Sequence, residues 1–186
     1  TTARAGWAVC YADPSIHNHR RAMAGYVQSS YRAELRAAIH VLQTALDPTL
    51  ILSDCLAVVN AMATLFAARA DPTYNKPSIN MLDPKIVDYH LWCWAATFVD
   101  AAAPNLFLIQ WVPSHRNDEG KEEERAEKLQ KGITTEQRIH GNDRADELAK
   151  EGAMLHDDIS QLIIEADARK EVTRLTQNMM VQIWQH

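Results

Sequence analysis

The hydrophobic positions change rhythm along the chain, and each rhythm predicts a different element. Ala5 to Tyr11 (AGWAVCY) is a short apolar, aromatic and β-branched run followed by the turn signal Asp13-Pro14, which predicts a strand and then a loop. A polar stretch rich in His and Arg (His17, His19, Arg20, Arg21) then leads to Met23–Gln28, the expected second strand of an antiparallel pair. From Tyr31 to Leu46 the period lengthens. Leu35, Ile39, Leu42 and Leu46 recur at intervals of four and three, and Ser29-Ser30 ahead of them offer capping hydroxyls, so this segment is expected to be an amphipathic helix. Leu50 to Ser53 (LILS) is continuously apolar, the pattern of a strand covered on both faces, and it stops at Asp54.

Helical spacing returns at Leu56–Arg69, and Asp71-Pro72 and Lys76-Pro77 then mark a loop. Ile86–Ala102 predicts another apolar helix, with Trp92 and Trp94 in the core, and Leu106–Val112 another strand, stopped by Pro113. Arg116 to Lys131 is almost wholly charged and reads as a solvated insertion or exposed helix. Gly141-Asn142 is expected to precede a helix from Asp143 to about Leu155. A last amphipathic helix, Ile159–Trp184, carries Ile159, Ile163, Val172, Leu175, Met179 and Ile183 along one face. Strands interleaved with helices describe an α/β domain, a mixed sheet flanked by helices. The division expected is residues 1–155 for the domain, with the charged insertion at about 116–140, and 156–186 for a helical arm.

Composition narrows the class. The 186 residues allow one domain plus an arm, and 47% hydrophobic with 23% charged residues is a globular balance. The formal net charge of -5 argues against indiscriminate adhesion to nucleic acid, so phosphate binding has to come from a local patch. Cys10, Cys55 and Cys93 are odd in number and lie among apolar residues, as reduced thiols of an intracellular compartment do. The longest apolar run, Leu91–Val99, is far short of the ~20 residues that cross a bilayer, so no membrane partner is expected. No secretory signal is visible at Thr1–Gly6, and without an initiator Met the start reads as processed or trimmed.

Three carboxylates and an imidazole fall at the ends of predicted elements: Glu34 early in its helix, Asp54 beyond a strand, Asp146 in the first turn of a late helix, and His115 past the strand ending at Val112. In an α/β sheet, sites form where loops leave strand ends, and oxygen ligands there suit hard divalent cations. Each residue also has a bland role open to it. Glu34 serves the helix dipole, Asp54 caps the next helix, Asp146 is a solvated charge and His115 a loop histidine.

The wording around these residues resembles type 1 ribonuclease H. Ser29-Ser30-Tyr31-Arg32-Ala33-Glu34-Leu35 is similar to that family's first-helix start, Leu52-Ser53-Asp54-Cys55 to its strand ending in Thr-Asp-Ser, and Trp111-Val112-Pro113-Ser114-His115 to its Trp-Val-x-x-His. Gly141-Asn142-Asp143-Arg144-Ala145-Asp146-Glu147-Leu148-Ala149 is similar to its closing Gly-Asn-x-x-Ala-Asp-x-Leu-Ala. Arg-Ala-Glu-Leu, Pro-Ser-His and the charged insertion bring the resemblance nearest to the ribonuclease H domains of non-LTR retrotransposon polyproteins.

The resemblance implies a mixed five-stranded sheet and cleavage of the RNA strand of RNA–DNA hybrids by two Mg²⁺ ions, with Mn²⁺ as a substitute. Glu34, Asp54 and Asp146 would be the metal ligands, His115 the proton shuttle, and Ser29, Ser30 and Asn142 contacts to nucleic acid. The family's first carboxylate, on an opening strand, has no match in the chain, and Asp13 is read as a loop residue. Tyr31 and Leu56 replace the Asn and Gln with which cellular members read the RNA. A catalytically incomplete domain serving as a structural or binding module in a larger assembly is therefore the alternative, with the last helix as a docking arm for a protein partner.

Overall fold

The computed structural model describes residues 4–25, 27–113, 122–132 and 134–156. The order of elements is β1 (Gly6–Val9), β2 (His19–Ala22), α1 (Ser30–Thr44), β3 (Thr49–Ser53), α2 (Leu56–Ala70), α3 (Tyr89–Ala101), β4 (Phe107–Trp111), α4 (Glu122–Gln130) and α5 (Glu136–Ala153), with a short 3₁₀ turn at Ser78–Met81. Among the described residues the strands form two separate pairs, β1 antiparallel to β2 and β3 parallel to β4, in place of the five-stranded sheet expected.

The second strand lies upstream of Met23–Gln28. Gly6 faces Ala22 and Val9 faces His19, so the polar His/Arg stretch itself is the strand. Pairing decides this: Met23 donates its N–H to the Ala5 carbonyl at 2.8 Å and closes the ladder there, while its side chain is buried beside Trp7 and Ala33. One face of the hairpin, Trp7, Val9, His19 and Arg21, turns toward α1. The other packs under α5 at backbone distance, since a Cβ on Gly6 would stand 2.2 Å from the Ala149 carbonyl oxygen and one on Gly152 2.8 Å from that of Arg21.

The main core lies on the other side of α1, where Leu35, Ile39 and Leu42 pack with Val58, Met62 and Leu65 of α2, Trp92 and Val99 of α3, and Ile51 and Phe107 of the parallel strands. Three expectations shift here. Leu46 falls beyond the end of α1 and is 90% exposed. Leu50 is 43% exposed, so β3 is covered on one face only along part of its length. Trp92 is fully buried with its indole N–H donated to the Tyr31 hydroxyl (3.0 Å), whereas Trp94 is only half-buried and lies under Arg36.

Helix α5 starts seven residues before Asp143, at Glu136, because Thr135 caps it by accepting the Arg138 N–H. Gly141 and Asn142 therefore lie inside the helix rather than ahead of it. α5 ties the two strand pairs together: its glycine lies on the hairpin, and Arg138 donates to the Gln110 side chain of β4 at 2.9 Å. His156 then folds back, buried, with its Nε2 2.9 Å from the Ala5 carbonyl. His115, residues 116–121 of the charged insertion and the arm Ile159–Trp184 lie outside the described residues.

Candidate carboxylate site

The site is built from three elements. Ser29 caps α1 by accepting the Arg32 N–H at 3.2 Å, which sets the helix so that Glu34, on its second turn, reaches the end of β3. There Ser53 donates its hydroxyl to Glu34 Oε2 at 2.8 Å, and the Ser53 Oγ itself accepts the Cys55 N–H at 3.2 Å. Asp54 follows directly, half-buried, and its carbonyl accepts the indole N–H of Trp111 at 2.9 Å, which locks the turn after β3 against β4. Asp146 comes from the middle of α5 and is half-buried as well.

Asp54 and Asp146 lie near enough to Glu34 for their charges to act on it. Burial, and after it the negative charges of Asp54 and Asp146, push the Glu34 carboxyl up from its ordinary value to about 7, against the opposing pull of the Ser53 hydrogen bond. Like charges gathered at one place raise a carboxyl in this way, and a cation among them would relieve it.

The bland roles fall away for all three carboxylates. The first turn of α1 holds no acidic residue, so Glu34 does not serve the helix dipole. Cys55, not Asp54, is the N-cap of α2, and no side chain caps that helix. Asp146 is half-buried within α5 rather than solvated at its start.

Of the nucleic-acid contacts expected, Ser29 spends its hydroxyl oxygen on the helix cap, and Ser30 is exposed as the first residue of α1. Asn142 is half-buried in α5 with no hydrogen-bond partner for its Nδ2. Asp13 lies in an exposed loop and pairs with Arg144 at 3.5 Å.

Ser53 is the residue the motif reading passed over. Its signal was a hydroxyl in the apolar run LILS at a position that proves 4% exposed, and a buried hydroxyl needs a partner.

Oxygen donors suit a hard divalent cation, and the crowding at Glu34 supplies a reason for one to bind. Glu34, Asp54 and Asp146 would hold it. Among the described residues, no three His, Cys, Asp or Glu side chains stand close enough to hold an ion by themselves, so the donor set is of the right chemistry and incomplete. No described helix is long and apolar enough to cross a membrane.

No curated protein and no solved structure gives a significant match to the chain. One family model does, over residues 1–154, a span that includes the hairpin, Glu34, Asp54 and Asp146: the chain belongs to the RNase H family.

Proposed function

We propose that this domain cleaves the RNA strand of RNA–DNA hybrids with divalent cations held on Glu34, Asp54 and Asp146. The observation that carries the reading is that Asp54, at the end of β3, and Asp146, on α5, lie near enough to Glu34 of α1 for their charges to act on its carboxyl, within a chain of the RNase H family. When bound there, two Mg²⁺ ions, or Mn²⁺ in their place, supply an activated water and charge stabilisation at the leaving 3′ oxygen. Ser53 orients Glu34, and Trp111 holds the Asp54 turn. Ser30, exposed at the start of α1, and Asn142 face the nucleic acid. His115 moves a proton or helps release product.

Two further features of this reading concern the sheet and its origin. In the five-stranded sheet of this reading, β1 and β3 belong to one layer, a reading supported by both packing against α1 and α5. The motif wording and the charged insertion support kinship with retrotransposon polyprotein domains, and three free cysteines support an intracellular, reducing setting.

The second reading, a catalytically incomplete module within an assembly, is favoured by the absence of a coordinating trio among the described residues. Cleavage of a labelled hybrid with Mg²⁺ or Mn²⁺ separates the two. With no match among residues 1–186 for the family's first carboxylate, this chain alone is expected to bind Mg²⁺ poorly and to cleave slowly or not at all, since one anionic ligand fewer reduces the charge that holds the paired ions. Residual activity should disappear in Asp54→Asn. No cleavage with either metal, together with no metal-induced rise in melting temperature, would establish the module reading. In either case the amphipathic stripe of the arm, Met179–Trp184 above all, is proposed to bind a protein partner. A large fall in melting temperature on deleting residues 170–186 would refute that.

A further inference from the structure

On the face of α1 turned away from Glu34, the structure gathers cations instead of carboxylates. His19 of β2 and His40 of α1 stack with ring centroids 4.4 Å apart and planes 18° apart, and Trp7 touches both at 5.3 and 5.2 Å. Arg36, one turn before His40, lays its guanidinium over Trp94 at 4.5 Å and over Trp7 at 5.9 Å. Arg21, exposed on β2 two residues beyond His19, completes the group.

The polarity of the patch is unbalanced. Among the described residues no carboxylate lies within ion-pair distance of Arg21 or Arg36. Asp88, in the turn before α3, is taken by Arg32 at 2.6 Å, with His90 beside the same guanidinium. Arg20 points to the other face of the hairpin and pairs with Glu151. His19 Nε2 has no hydrogen-bond partner. In a chain whose net charge is -5, two uncompensated arginines beside two imidazoles that can take up protons are a local concentration of positive potential.

We propose that Arg21, Arg36, His19 and His40 form a second nucleic-acid contact, which takes the phosphodiester backbone of a strand without regard to sequence. The class of ligand rests on the RNase H reading; the need for an anion rests on the geometry alone. Arg36 is steadied by Trp94 at 4.5 Å and Trp7 at 5.9 Å, which lowers the entropic cost of holding its guanidinium for a phosphate. The stacked imidazoles face each other ring to ring, a poor arrangement for a shared metal ion, but each gains a proton more readily once a phosphate lies beside it. Burial and the neighbouring cations hold both below the ordinary histidine value: Arg21 beside His19, and His19, Arg21 and Arg36 around His40. Phosphate binding and protonation therefore help each other, and the contact strengthens as pH falls.

The test is the fluorescence anisotropy of a short labelled single-stranded RNA bound by the full chain in EDTA, where the carboxylate cluster holds no metal. Arg21→Gln combined with Arg36→Gln should weaken binding about 10-fold at low salt and reduce the log–log salt slope by about 1.4, at ~0.7 per phosphate contact. His19→Gln with His40→Gln should remove the tightening between about pH 7.5 and about pH 5.5. Arg21→Gln alone, at an exposed position, guards against misfolding and should give half the slope change. Unchanged affinity and slope in a folded double variant would overturn the proposal, as would no RNA binding by the unaltered chain or binding of polyglutamate in its place. RNA binding without hybrid cleavage would leave this contact standing and sink only the catalytic reading.

Discussion

The two faces of α1 are like-charge clusters of opposite sign. Toward β3 and α5, Glu34 sits with Asp54 and Asp146 and its carboxyl is pushed up to about 7; toward the hairpin and α3, His40 sits with His19, Arg21 and Arg36 and its imidazole is pushed down. Each cluster is destabilising on its own terms, and each is lowered in energy by a counter-ion of opposite sign. What differs is support. The acidic cluster is anchored by a hydroxyl and an indole beside the large core, whereas the basic one rests on a hairpin held by the small Trp7–Met23–Ala33 core and by close backbone contact with α5. A helix that keeps cations and carboxylates on opposite sides can meet metal and phosphate without either neutralising the other.

The comparison breaks most severely at Gly6. Gly6→Ala places a methyl against α5 backbone and should cost about 3 kcal/mol, with preferential loss of hydrogen-exchange protection in β1 and β2 while α1, α2 and β4 stay protected. Uniform loss across all elements would show that the two halves fold as one.

Glu34→Gln sharpens the acidic side. A carboxyl raised in the folded state favours folding when protonated, so its stability contribution is complete below the ordinary carboxylate range and is lost as pH rises through about 7. At about 1.4 kcal/mol per pKa unit, less the solvent reaching a half-buried group, the variant should be about 2 kcal/mol more stable than the parent at pH ~8 and equal to it at pH ~4. Chemical denaturation at the two pH values checks this, and a stabilisation present equally at both would remove the charge explanation. Mg²⁺ should narrow the difference at the higher pH, since the cation relieves the same repulsion.

Gly141→Ala is the counterpart of Gly6→Ala. Gly141 lies inside α5 with open space where its Cβ would be, so alanine should stabilise the fold by about 0.8 kcal/mol through helix propensity alone. A loss of stability there would mean that the helix is crowded at its outer face.

The smallest effect expected is on the basic side. Imidazoles held below their ordinary value bind fewer protons when folded, so the parent loses stability as pH falls below about 6.5. Solvent screens both rings, which keeps the loss small, and His40→Gln should flatten it in a pH series of melting temperatures.

Local chemistry made much of the chain legible. The Ser29 cap and the Leu35, Ile39, Leu42 stripe specify α1, and the apolar run before Asp54 specifies β3, whereas Asp146, expected at a helix start, lies in the middle of α5. The cap, the stripe and the run depend on neighbours within a few residues, so they are written in order along the chain. Tertiary contact decided the rest. The hairpin's second strand is the polar His19–Ala22 because strand pairing is set by the partner, here Ala5–Val9, and not by hydrophobicity alone. Helix α5 begins at Glu136 because a Thr135 cap and packing on two strand pairs outweigh the glycine within it. The Ser53–Glu34 hydrogen bond and the His19–His40 stack join residues 19 and 21 positions apart on different elements. Residue order announced the carboxylates, but only the packing of α1 between a hairpin and a parallel pair could set acids on one side of it and cations on the other.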